Sequence, residues 1–264
     1  MLTLAPPLPS SAAPPRAAPP DRPAFARITS GRSLADYARV FAFEVIAWRG
    51  RDVLDVAAGT SSFVAEACAR RINAVAVDPI YSRPEEFLDD ACAGSAGFAG
   101  WPQGAAAPLR NDRPGNTARH GVVSRPIHSR PFMPADADRR TPAERFRDDY
   151  QAHYAHGRYV AGALPRLPFF DATFDLVLCG RLLFAGSDEF DVEAQVAACR
   201  DLVRVSAGET RLHPVCRSDG RLFPGVARLR RELKAVGIGS ELSTVESNFG
   251  AGEDSMLVLK RLAS

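Results

Sequence analysis

The sequence predicts an α/β chain with a doubly wound, mostly parallel sheet that closes on an antiparallel hairpin. Three observations lead there. An apolar run at residues 53–57 carries an acid, Asp55, then passes through a small-residue loop into a helical pattern. A second apolar run, 74–78, ends in another acid, Asp78. Near the other end, the runs ELSTVE and SMLVLKR are separated only by a short turn at 248–253, which pairs them antiparallel. A strand, a tight loop, a helix and a second strand with a terminal carboxylate form the first half of a nucleotide-binding sheet, whose ligands sit at the carboxyl ends of the strands.

The remaining elements follow in order. Between Ser33 and Trp48 the residues Leu34, Tyr37, Val40, Phe41, Ile46 and Trp48 recur at mostly helical spacing, with Ser33 as cap, so a helix is expected across 33–48. Ser61 or Ser62 caps the helix after the first strand, and Phe63, Val64, Ala67 and Cys68 are its inward stripe. A short third strand ends near Ala161, and FDLVLC reads as a buried parallel strand because its apolar run is unbroken. A helix is expected over 188–205, a strand at TRLHPV, and a helix over 226–236 with Leu229, Leu233 and Val236 inward.

Two segments break the pattern. The first 28 residues are a Pro/Ala-rich tail that cannot build a core, and the domain is expected to span 29–264. The tail has neither a charged leader nor a continuous apolar stretch, so no secretory signal is expected in it. From about 85 to 149 the chain is rich in Gly, Pro, Arg, Asp and Ala with no period. A segment that long is a lid or an unstructured insertion, and its composition points to the insertion.

Composition narrows the function classes. At 264 residues one α/β domain with an insertion is expected. The formal charge of +2, from 33 basic and 31 acidic residues, gives no reason to expect a nucleic-acid partner. No apolar run reaches the roughly 18–20 residues that span a bilayer. Cys68, Cys92, Cys179, Cys199 and Cys216 are scattered, without the close pairs of metal or redox sites, so no metal and a cytoplasmic location are expected.

Four blocks, VLDVAAGTSSF, VAVDPIY, LPFFDATFDLVLCGRLLF and AACRDLVRVSAGETRLHPV, resemble in order and spacing the class I S-adenosylmethionine-dependent methyltransferases. The resemblance spans residues 34–261 apart from the insertion, and is nearest to a group of bacterial methyltransferase-like proteins. It implies a Rossmann-like sheet of seven strands, S-adenosyl-L-methionine as cofactor, and methyl transfer to an unidentified small-molecule or protein acceptor.

The loop Ala57, Ala58, Gly59, Thr60 and Ser61 has the small volume that close backbone approach to a ligand requires. The family's usual loop has Gly where Ala57 and Ser61 stand. Asp78 is suited to accept two ribose hydroxyls. Its other reading is a turn initiator before Pro79. Asp55 is expected beneath the loop, accepting backbone donors or touching the methionine end, with Ile80 on the adenine face. The resemblance places an acid after the third strand, but Ala163 stands there, so adenine recognition falls to the backbone of Ala163 and Leu164.

Cys179, Gly180 and Arg181 occupy the end of the fourth strand, which in this fold faces the transferable methyl. Arg181 has two readings, an anchor for an acidic acceptor or a solvated helix-start residue. His213 is a base or a strand-end histidine bonded to backbone. The plainer reading is preferred for both, and no catalytic residue is assigned. Asp175 reads as structural. The tetrapeptide of Asn or Asp, two prolines and an aromatic that marks base-amino and glutamine methylation is missing after the fourth strand, where CGRL stands. A non-catalytic binding or scaffold protein on the same fold is the alternative. A nicotinamide-dependent oxidoreductase fits poorly, since the loop lacks G-x-G-x-x-G and the hairpin is foreign to it.

Overall fold

A computed structural model describes residues 31–82, 140–184, 191–217, 219–246 and 253–262. The Pro/Ala-rich tail and most of the irregular segment lie outside these residues. The described chain runs α1 (Leu34–Val40), β1 (Asp52–Val56), α2 (Phe63–Ala69), β2 (Asn73–Val77), α3 (Pro142–His153), β3 (Tyr159–Val160) and β4 (Phe174–Gly180). It continues through α4 (Val192–Val205), β5 (Ser206–His213), α5 (Val226–Ala235), β6 (Ile238–Thr244) and β7 (Ser255–Arg261). The seven strands form one sheet in the order β3-β2-β1-β4-β5-β7-β6. The first five pair in parallel, and β7 runs antiparallel between β5 and β6. No helix among the described residues is long and apolar enough to cross a membrane.

Strand alternation sorts side chains to two cores. Leu54, Val56, Val177, Cys179 and Leu212 face α4 and α5 on one side. Val53, Ala74, Ala76, Leu176 and Leu178 face α1, α2 and α3 on the other. Asp55 shares the face of Val53, and that places a carboxylate under α1.

Three expectations are corrected. The first helix stops at Val40, because Ala42 takes a left-handed φ of 47° and turns the chain. Ile46, read as part of its stripe, is 73% exposed. The end of the irregular segment is ordered: Thr141 and Glu144 form a capping box with Pro142 opening α3, and Phe146 and Tyr150 are buried. Strand five begins at Ser206, directly after α4, rather than at Thr210. Its register with β4 shifts between Phe174 and Leu176, where Gly208 leaves room for the Asp175 carbonyl; a Cβ there would come within 2.3 Å of it. Other boundaries agree within a few residues, and Ser33 caps α1 in a full capping box.

A candidate cofactor site at the strand ends

The loop after β1 is shaped by backbone conformation. Ala57 and Gly59 have φ of 59° and 55°, the left-handed region that Gly enters freely and Ala at a cost. Among the described residues a Cβ added at Gly59 would meet nothing within 4 Å, so the loop borders open space there. Helix α2 starts without a side-chain cap from Ser62; instead Ser61 Oγ accepts the Phe63 N–H at 3.1 Å. Ser61 and Ser62 both donate to the Arg32 carbonyl, which ties the loop to the chain entering α1.

The end of β2 grips this loop. The Asp78 carboxylate accepts the Gly59 N–H at 3.0 Å and the Ile80 N–H at 3.1 Å. Tyr81 Oη donates to the Gly59 carbonyl at 2.7 Å. Tyr81 is itself packed among Phe146, Tyr150 and Tyr159, so the post-insertion helix α3 buttresses the loop. Burial pushes the Asp78 carboxyl up to about 6, while the Ile80 and Gly59 amides hold it down. Pro79 and Ile80 are half-buried beside it.

Asp55 is fully buried, and both its oxygens accept the Tyr37 hydroxyl, at 3.0 and 2.8 Å. That hydroxyl comes from α1 rather than from the loop above. Burial pushes the Asp55 carboxyl up to about 8, against the Tyr37 bond and the Arg32 charge. Tyr37 stacks on Phe63, with ring centroids 4.2 Å apart, which fixes the hydroxyl.

At the end of β4, Cys179 is buried and burial holds its thiol protonated, so it is no nucleophile. Gly180 faces Arg32: a Cβ there would lie 3.3 Å from Arg32 Nη1. Arg181, at φ 55°, pairs with Glu253. His213 Nε2 meets the Glu253 carbonyl oxygen at 2.9 Å. Ala163 and Leu164 are buried beside the end of β3; the Ala163 carbonyl already accepts the Arg166 N–H at 3.1 Å. Asp175 is structural as read, accepting the Asp52 N–H at 3.0 Å and facing Arg51.

The fold therefore brings Asp55, the 57–61 loop, Asp78, Pro79, Ile80, Cys179 and Gly180 to one end of the sheet. Arg32, Tyr37, Tyr81 and Glu253 join them and were missed. Tyr37 stood in the apolar stripe of the first helix, and Tyr81 ended the VAVDPIY block with no role assigned to it; nothing in the sequence marked Arg32 or Glu253. At the far end of β5 lies a shallow hollow of about 130 Å³, lined by Ala172, Ser206, Gly208 and Leu259 among others. Among the described residues no cluster of His, Cys, Asp or Glu is placed to hold a metal.

No protein-family model matches the chain. An uncharacterised protein of Methanocaldococcus jannaschii is 23% identical over 234 residues, spanning 88% of this chain and 95% of its own. A solved structure of magnesium protoporphyrin IX methyltransferase from Synechocystis PCC 6803, with bound S-adenosylmethionine, aligns over 82% of this chain and 74% of its own, at 13% identity and a TM-score of 0.43. A TehB-like methyltransferase from Corynebacterium glutamicum aligns over 81% of each chain, at 13% identity and a TM-score of 0.40. The chain's own strand order, with β7 reversed between β5 and β6, is that of the class I methyltransferase fold.

Proposed function

We propose that this protein binds S-adenosyl-L-methionine at the carboxyl ends of β1, β2 and β4 and transfers its methyl group to a small molecule or protein. The observation that carries this reading is the grip of Asp78 and Tyr81 on Gly59, which holds a left-handed loop open at the sheet's carboxyl edge. The residues fit the group. Among the described residues open space lies over Gly59, and each Asp78 oxygen accepts one backbone bond of the two it can take, so a ribose hydroxyl meets this buried carboxylate once the loop above it gives way.

In this reading Ala57, Ala58, Gly59, Thr60 and Ser61 offer backbone to the cofactor, and Pro79 and Ile80 border the base. Ala163 and Leu164 lie on its far side, and Cys179 and Gly180 border the reacting end. The bound sulfonium supplies an activated methyl and a good leaving group. The chain's task is to align an acceptor and exclude water, for which Gly180 and the Arg181–His213 junction are the nearest side. A cytoplasmic location belongs to the same proposal; Cys68, Cys179, Cys199 and Cys216 form no disulfide.

One observation favours the alternative, a non-catalytic binding or scaffold protein. Asp78 is fully buried and both its oxygens already hold backbone amides, as an internal staple would. Calorimetry with S-adenosylmethionine, S-adenosylhomocysteine and NAD separates the readings. Binding of the first two and not NAD is expected; binding of none sinks the enzyme in favour of the scaffold. Labelled methyl donor added to cell extract with the protein would then identify the acceptor.

A further inference from the structure

Two polar atoms at the junction of β4 and β5 are buried with no hydrogen-bond partner among the described residues: Nδ1 of His213 and Nε of Arg181. Buried polar groups in folded proteins nearly always find partners, so two orphans in adjacent residues call for a molecule that supplies them.

Geometry fixes what each requires. The Glu253 carbonyl oxygen can only accept, so the 2.9 Å contact puts the ring proton of His213 on Nε2 and leaves Nδ1 with a bare lone pair. Arg181 Nε–H can only donate. The residues are neighbours across the sheet: Gly180 is in register with His213, and the Arg181 N–H donates to the His213 carbonyl at 2.7 Å. Glu253 secures both, its carbonyl on the imidazole and its carboxylate on the guanidinium. His213 is only 1% exposed, and its ring stands edge-on to Phe41 with centroids 5.9 Å apart. Burial brings the imidazole down to about 4, and the Arg32 and Arg181 charges act in the same direction, so it stays neutral near physiological pH.

We propose that His213 and Arg181 form a recognition site for a hydroxy-carbonyl group, its hydroxyl donating to Nδ1 and its adjacent carbonyl or carboxylate oxygen accepting from Nε. A plain carboxylate serves Arg181 but brings no donor to His213. An isolated alcohol serves His213 and leaves Arg181 orphaned. A ligand with both groups satisfies both atoms. That the ligand is the methyl acceptor rests on the function proposed above; the recognition itself does not.

The test begins with ¹⁵N NMR of the imidazoles at neutral pH, where the Nε2–H tautomer of His213 is expected; a majority of Nδ1–H overturns the site. Glycolate and acetate are then titrated with and without S-adenosylhomocysteine. Glycolate should shift the Nδ1 resonance and bind roughly tenfold tighter than acetate, the factor one hydrogen bond gives. His213→Phe, which keeps a ring against Phe41, should erase that preference. Equal affinities in the unmodified protein, or a preference that survives His213→Phe, would overturn the proposal. Failure of S-adenosylhomocysteine to bind, with glycolate still preferred, would instead remove the acceptor role and leave the site standing.

Discussion

Tyr81 and Gly59 are joined by a 2.7 Å hydrogen bond from a fully buried phenol to a loop carbonyl. Because Tyr81 is wedged among aromatics of α3 and β3, the loop after β1 takes its shape from residues far along the chain. Tyr81→Phe keeps that packing and deletes the bond to Gly59. It should cost about 1 kcal/mol in urea unfolding. It should also weaken S-adenosylhomocysteine binding in calorimetry by several-fold; unchanged affinity beside a normal wild-type titration would separate the loop from the cofactor.

Gly59 itself tolerates no side chain without strain, although the space above it is open. Gly59→Val places a β-branched residue at φ 55°, which costs on the order of 1–3 kcal/mol. The same Cβ and methyls project into the open space where the ligand is proposed to lie. The expected result is a modest loss of thermal stability with complete loss of cofactor binding.

Asp78→Asn replaces one acceptor oxygen by an amide that opposes the N–H of Gly59 or Ile80. The buried clash should destabilise the fold by about 1–3 kcal/mol and lower cofactor affinity at least as much as Tyr81→Phe. A variant that loses stability yet binds S-adenosylhomocysteine normally would assign Asp78 to the internal staple alone.

Asp55 gives a pH dependence with a definite sign. Its carboxyl is raised from the unfolded range near 3.9 to about 8. Its contribution is therefore full below the unfolded pKa and is lost as pH rises through about 8. Asp78, raised to about 6, adds to the decline at lower pH. His213, lowered to about 4, works the opposite way and loses stability only as pH falls below the usual imidazole range. Between about 6.5 and 8 the Asp55 effect stands almost alone, at up to about 1.4 kcal/mol per pH unit. Urea midpoints should fall over that window, and Asp55→Asn, which still accepts the Tyr37 hydroxyl, should flatten the curve.

Arg204 straps the segment that leads into β4. Its guanidinium donates to the Phe169 and Leu167 carbonyls at 2.7 and 3.0 Å and to Asp201 at 2.8 Å, while Asp201 accepts the Leu167 N–H at 2.6 Å. Arg204→Leu strands those acceptors and should cost about 2–3 kcal/mol, read as a lower melting temperature. Cofactor affinity should change little, because the strap lies at the sheet's other end.

The strands were legible because burial imposes period and composition: FDLVLC and SMLVLKR appear as apolar runs whatever surrounds them. The helix α3 was overlooked beside a long aperiodic segment, although Thr141, Pro142 and Glu144 spell a capping box. The early end of α1 was not legible. Ala42 adopts a positive φ that its residue type disfavours, and Arg211 accounts for the turn by donating to the Phe41 and Ala42 carbonyls from β5, far along the chain, on the sheet face that α1 covers.

What the sequence determined by itself is the alternation of strands and helices, and with it the end of the sheet where Asp55, Gly59 and Asp78 gather. Local patterns of burial and small volume suffice for that. The tertiary structure decided which partner each polar group meets. Tyr37 caps Asp55, Tyr81 and Asp78 hold Gly59, and Glu253 leaves one nitrogen of His213 bare, because these contacts join residues 18 to 40 positions apart. A hydrogen bond depends on the meeting of two atoms in space, and no local pattern in the chain encodes which distant atom arrives.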